Sequence, residues 1–263
     1  MEFRTIVDIE DPGFRIGPCE EMLFVGSCFA TEIGHRFQEE KFRAAVNPYG
    51  VMYNPASILH TIERWKENTP KTAFLTLGTN HVYRLKETGE IVDNCEKRPA
   101  SLFQEEELTV EECVEYLQKA ISILREKNPD IHIVLTVSPI RYRKYGYHGS
   151  QLSKATLLLA TRQLTGASYF PAYEIVNDEL RDYRFYKSDM LHPSDQAVEY
   201  IWQRLYETYL SDEAKNFIQE WAPLKAALNH KPFDVESEEY KAFMHKTMLK
   251  VAALKEKYPT FAL

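Results

Sequence analysis

Residues 21–37 read EMLFVG followed by SCFATEIGHRF, and this stretch decides the fold. The run 21–26 is short and apolar and closes on Gly26, which predicts a buried strand and a tight turn. Directly behind it, Phe29, Ile33 and Phe37 recur at every fourth residue, the spacing of an amphipathic helix. Working outward, the same alternation repeats. Residues 42–46 read as a second strand, leading into the turn Asn47-Pro-Tyr-Gly50. A helix is expected from Asn54 to about Glu67, a third strand over 72–78, and a hairpin from two alternating runs around Lys86-Glu-Thr-Gly89.

Thr109, with Glu112 three residues on, predicts a capping box ahead of Val110, Val114, Leu117, Ile121 and Leu124. Residues 131–137 (IHIVLTV) form an unbroken apolar run, the mark of a strand buried on both faces. A helix over 151–164 and a short last strand over 167–170 follow. Val198, Ile201, Trp202, Leu205 and Tyr209 mark one further helical face, and the tail from Ser211 is helical too. Strands alternating with helices imply an α/β fold with a mostly parallel sheet covered on both faces. No internal repeat or low-complexity linker interrupts it, so the expected body is 1–210, with 211–263 a C-terminal helical extension packed on the same domain.

Composition narrows the function. The chain has 263 residues, with 32 Lys+Arg against 39 Asp+Glu, a formal charge of −7. That balance speaks against a general nucleic-acid binder, which needs a basic face for phosphates. No stretch reaches the roughly 18–20 apolar residues of a membrane span. The first residues, MEFRTIVDIEDPG, lack the apolar core of a signal peptide, so the expected compartment is the cytoplasm. Cys19, Cys28, Cys95 and Cys113 form no C-x-x-C pair and read as free thiols. His35, His60, His81, His132, His148, His230 and His245 show no ligand spacing, and neither a metal nor another cofactor is expected.

Three features carry chemistry. Ser27 stands just past a strand and at the first turn of a helix. There a side chain is held at the carboxyl edge of the sheet, beside helix N–H groups that favour an oxyanion. On this feature alone, a simple N-cap is the plainer explanation of Ser27. Asp189-Met-Leu-His192-Pro193 places a carboxylate where it can bond imidazole Nδ1 and leave Nε2 as a base. A surface pair capping the next helix is the plainer alternative. Gly50 offers an unobstructed backbone N–H and Asn80 a side-chain amide for an oxyanion, with Asn47 and Asn94 as competitors. Any of these asparagines can instead make an Asx-turn.

The order Ser, Gly, Asn, Asp-x-x-His joins the three features into one pattern. Gly26-Ser27-Cys28-Phe29-Ala30 spells GSCFA, and the chain resembles the GSCFA-domain family, a branch similar to the SGNH (GDSL-like) hydrolases. The resemblance extends over NPYGVMYNP (47–55), TLGT (76–79), Asn94, Cys95 and Lys97, SPIR (138–141), SKATLLLA (153–160) and ELRDYRFYKSDMLHPS (179–194). It implies a three-layer αβα sandwich of the flavodoxin-like SGNH kind, with about five strands in its sheet. It also implies a serine esterase or acyl hydrolase with Ser27 as nucleophile, His192 as base and Asp189 as its orienter. Gly50 and Asn80 would join the Ser27 N–H at the oxyanion.

The expected substrate is a small acyl ester, by analogy an acetyl on a carbohydrate. Asn47, Asn94, Arg141 and Tyr186 are candidates to line its pocket. The rivals are a non-catalytic glycan- or lipid-binding module and an acyltransferase using the same triad. A homo-oligomer stays open. Two departures stand out: GDSL enzymes carry Asp before the serine where this chain has Gly26, and Glu96 replaces the histidine of the family's NCHK. Cys28 is a rival nucleophile that is expected to pack as a small core residue instead.

Overall fold

β1 (Glu21–Gly26) is flanked on both sides by parallel partners, β2 (Arg43–Val46) and β3 (Thr72–Leu77). Beyond β3 lie β7 (His132–Val137) and β8 (Ser168–Tyr169), also parallel. The computed structural model describes residues 3–67, 69–95 and 98–263. The five-stranded sheet runs β2-β1-β3-β7-β8, which is the flavodoxin order 2-1-3-4-5 when its own strands are counted. The order reverses between β1 and β3. In such sheets ligands bind outside the carboxyl ends of the strands at that reversal.

Successive side chains of a strand face opposite ways, and the two faces carry separate cores. Leu23, Val25, Leu75, Leu77, Ile133 and Leu135 face one layer. That layer is built from α2 (Pro55–Arg64), α3 (Val110–Lys127) and α4 (Gly146–Gln163). Met22, Phe24, Phe74 and Val134 face the other, where α1 (Cys28–Glu39), α5 (Ala172–Glu174) with its π-helical continuation Ile175–Leu180, and α6 (Asp195–Tyr209) lie. The stripe Phe29, Ile33 and Phe37 is buried as its spacing requires. The capping box on α3 is complete: Thr109 Oγ1 accepts from Glu112 N–H, and Glu112 accepts from Thr109 N–H.

A second, antiparallel sheet of order β5-β4-β6 joins β4 (His81–Leu85), β5 (Ile91–Val92) and β6 (Phe103–Glu107). The hairpin is the one the alternation predicts. β6 is not among the expected strands, since FQEEE shows no apolar alternation. It becomes a strand because β4 offers five residues of open edge, from His81 to Leu85. α7 (Asp212–Leu228) and α8 (Glu238–Lys257) close a third core of Phe217, Trp221, Val251, Leu254 and Phe261 around Cys19. Trp221 Nε1–H donates to the Glu39 carbonyl at the end of α1 across 3.1 Å. Among the described residues no helix is long and apolar enough to cross a membrane.

Candidate functional site

The turn between β1 and α1 is possible only with glycine at position 26. Its φ is +147°, and a Cβ there would overlap the Thr76 carbonyl of β3. The aspartate of GDSL enzymes therefore cannot stand before this serine. Gly26 N–H donates to Asn47 Oδ1 (2.9 Å), and Ser27 N–H continues the ladder to Thr76 O (3.2 Å). Ser27 occupies the N-cap position of α1 with extended backbone, yet its hydroxyl caps nothing. The residue is fully buried, and its Oγ has no hydrogen-bond partner. A capping serine would use that oxygen on the first turn of the helix, so the plainer explanation of Ser27 fails.

Asp189 and His192 come together as their spacing predicts. Asp189 Oδ2 lies 2.6 Å from His192 Nδ1, and Oδ1 accepts the N–H groups of Leu191 (2.8 Å) and His192 (3.0 Å). Met190, at φ +60°, makes the tight turn that allows this. The amide bonds from His192 and Leu191, then the ring bond, hold the Asp189 carboxyl down to about 2. An ionised carboxylate only accepts, so the ring bond needs a proton on Nδ1, the arrangement in which a neutral imidazole would offer Nε2 as a base.

The loop is pinned from two sides of the sheet's carboxyl edge. Arg141 N–H donates to Leu191 O (3.1 Å) beyond β7, and Lys187 Nζ pairs with Glu32 of α1 (3.2 Å). His192 nevertheless makes no hydrogen bond to Ser27, whose hydroxyl stays unpaired.

The expected oxyanion donors are engaged within the protein in this conformation. Gly50 N–H is donated to Asn47 O (2.9 Å) within an exposed turn, so it does not serve an oxyanion in this conformation. Asn80 is buried, gives its Nδ2 to Leu108 O (2.8 Å) and leaves Oδ1, an acceptor, without a partner. The Asn47 amide ties Gly26 N–H to Thr31 Oγ1 (2.9 Å each), fastening the turn to α1. Asn94 is exposed just beyond β5, and Glu96 and Lys97 lie outside the described residues. Arg141 and Tyr186 do meet. The guanidinium lies 5.4 Å from the Tyr186 ring centre, and both line a cleft of about 260 Å³ with Gln151, Asn177, Arg181 and Tyr183. Cys28 is half-buried against the α1 core rather than sealed in it, and burial pushes its thiol up.

Three residues around Ser27 carried no role on sequence. Gly78, just past β3, has a vacant Cβ position bordered by Ser27 Cβ (3.4 Å), by Tyr53 O (2.8 Å) and, closer still, by the Tyr142 hydroxyl. The Tyr142 hydroxyl is itself buried and unpaired. Lys154 of α4 is buried, and its Nζ donates to Gly78 O (2.6 Å) and Ser138 O (2.7 Å). Beside it Ser153 Oγ accepts Asn80 N–H and bonds Thr79 Oγ1, both at 3.0 Å. A legible signal existed. Ser150, Ser153, Lys154, Leu157 and Ala160 share the buried face of α4, so a lysine falls at the helical spacing of a buried face.

Fold and site together define an α/β protein of flavodoxin strand order with a buried serine at its switch point and an oriented Asp–His pair on a loop. The chain belongs to the GSCFA family, which matches over residues 21–73 and 68–205. The C-terminal domain of GSCFA domain proteins matches over 221–263. No curated protein matches the chain closely enough to be counted a relative.

Among solved structures, it is similar to a provisionally named platelet activating factor from Streptococcus pneumonia (16% identical, covering 73% of this chain and 84% of that one, TM-score 0.47). It is also similar to an acetylxylan esterase from Geobacillus stearothermophilus (14% identical, 75% and 98%, TM-score 0.46). A third is a carbohydrate esterase of family 3 from Talaromyces cellulolyticus (11% identical, 76% and 97%, TM-score 0.43).

Proposed function

We propose that the protein is a serine ester hydrolase. The observation that carries this reading is the Ser27 hydroxyl, left without a partner at the sheet's switch point although it stands at a helix N-cap. A buried hydroxyl with no bond is costly unless it has a use. The Asp189–His192 pair supports the reading, because the carboxylate orients the imidazole through Nδ1.

In the reaction, His192 Nε2 takes the Ser27 proton as Oγ attacks the ester carbonyl carbon. The carbonyl π electrons move onto oxygen. The tetrahedral intermediate collapses, His192 gives its proton to the leaving alcohol, and an acyl-serine remains. Water, deprotonated by His192, then releases the acid. Catalytic hydrogen bonds often close only with substrate present, so Ser27 and His192 are to be joined by movement of the 186–193 loop. The preferred substrate is a small acyl ester, an acetyl on a sugar, an expectation that rests on the family resemblance alone.

A screen over acylated sugars and short p-nitrophenyl esters tests the reading, with Ser27→Ala as control and a fluorophosphonate as active-site label. The expected result is hydrolysis and labelling in the wild type and neither in Ser27→Ala. A binding module would take up ligand without a Ser27 adduct. An acyltransferase would direct the acyl group to an added sugar alcohol in preference to water.

A further inference from the structure

The oxyanion donors that the family resemblance implies already make hydrogen bonds within the protein. Ser27 N–H is bonded to Thr76 O, Gly50 N–H to Asn47 O, and the Asn80 amide turns toward Leu108 O. The Cys28 thiol sits against the amides of Cys28 and Phe29 at the start of α1. One strong donor next to Ser27 has no acceptor. The Tyr142 hydroxyl is buried and unpaired, and it fills the space that a Gly78 side chain would take, a space bordered on another side by Ser27 Cβ.

The Tyr142 backbone is fastened by its N–H to Ser150 Oγ (3.1 Å) at the start of α4. Its ring packs edge-on against Tyr53, with centroids 6.2 Å apart, and Lys154 Nζ lies 5.0 Å from the ring centre. Ring and backbone are thus fixed, and only the hydroxyl hydrogen turns freely. Burial raises the phenol well above its ordinary range, so it keeps its proton and can only donate or accept a hydrogen bond.

We propose that Tyr142 is a catalytic residue of the hydrolysis, its O–H donating to the carbonyl oxygen of the substrate as negative charge develops there. The proposal rests on the Ser27 reading. No bond to Tyr142 forms or breaks, and the phenol retains its proton through both tetrahedral intermediates. Gly78 is glycine because any Cβ would displace this donor. A preorganised donor in a water-excluded crevice acts where charge appears only in the transition state.

Tyr142→Phe removes the donor and keeps the ring. In the full chain the expected result is a fall in kcat of roughly 10²–10³, with KM within about threefold and Tm unchanged or raised. A boronic acid that forms a tetrahedral adduct on Ser27 should lose affinity by a comparable factor, while acetate, the planar product, binds as before. A merely structural tyrosine would shift Tm and both ligands together. Tyr142→Phe with wild-type kcat, or with a lowered kcat and unchanged boronate affinity, overturns the proposal. An inactive Ser27→Ala then leaves the Ser27 reading standing. Full activity in Ser27→Ala overturns both.

Discussion

Lys154 holds the Gly78 carbonyl at 2.6 Å from inside the fold, and the same ammonium reaches Ser138 O at 2.7 Å. One side chain of α4 thus ties the carboxyl end of β3 to that of β7, at the same edge of the sheet as Ser27. Among the described residues no carboxylate pairs with it. Lys154→Met would leave two buried carbonyls without a donor, each costing about 1–3 kcal/mol, partly offset by removing a buried charge. The expected outcome is a net loss of about 1–3 kcal/mol in denaturant unfolding, with a reduced kcat as Gly78 shifts.

The same residue sets a pH dependence. Burial pushes the Lys154 ammonium down to about 7, from an ordinary value of 10.5. Between those values the unfolded chain holds a proton that the folded chain has released, so this contribution makes unfolding harder as pH rises. Wild-type Tm minus Lys154→Met Tm should therefore increase from pH 7 to about pH 9. A flat difference would show that the folded protein keeps the proton.

Gly26→Ala should be among the most damaging single changes in the chain. Its Cβ meets the backbone of Thr76 in a central strand, and its φ lies in the glycine region. Neither strand can yield without breaking the ladder. A loss above about 3 kcal/mol is expected, read as a drop in Tm or in soluble yield.

Asp189→Asn should leave the fold intact and reduce kcat by roughly 10⁴, because an amide no longer enforces the Nδ1–H tautomer. The carboxyl, held down to about 2, is ionised throughout the neutral and mildly acidic range. Its contribution to the loop is present above its ordinary value and is lost only as pH falls through about 2. Loss of activity between pH 7 and 5 is then not the carboxylate's, and the steady-state pH–rate profile of the wild type checks this.

Trp221 tests how firmly the C-terminal helices are seated. Trp221→Phe removes the bond to Glu39 O and should cost about 1 kcal/mol. Trp221→Ala also empties a core shared with Phe261 and Cys19 and should cost about 3–5 kcal/mol. Thermal unfolding separates the two.

The parallel sheet was legible because apolar runs such as 131–137 and the Phe29, Ile33, Phe37 stripe are local patterns. The Asp189–His192 pair was legible because it closes within one turn of chain. β6 was not, since FQEEE becomes a strand only through the edge that β4 presents. The present partners of the expected oxyanion donors were hidden for a related reason. Whether an N–H is open depends on what accepts it, and the acceptors of Gly50 and Asn80 are backbone carbonyls placed by the turn and by the start of α3. Tyr142 and Gly78 meet across 64 residues of chain, and the vacancy one fills in the other has no trace in sequence spacing.

The complete enclosure of Ser27 has a kinetic consequence. A covalent reagent cannot collide with an oxygen that has no surface; it has to wait for the crevice to part. Inactivation rates should therefore level off with rising reagent concentration at the frequency of that parting. Potencies compared after a fixed incubation would then reflect the protein's own breathing more than the fit of each compound.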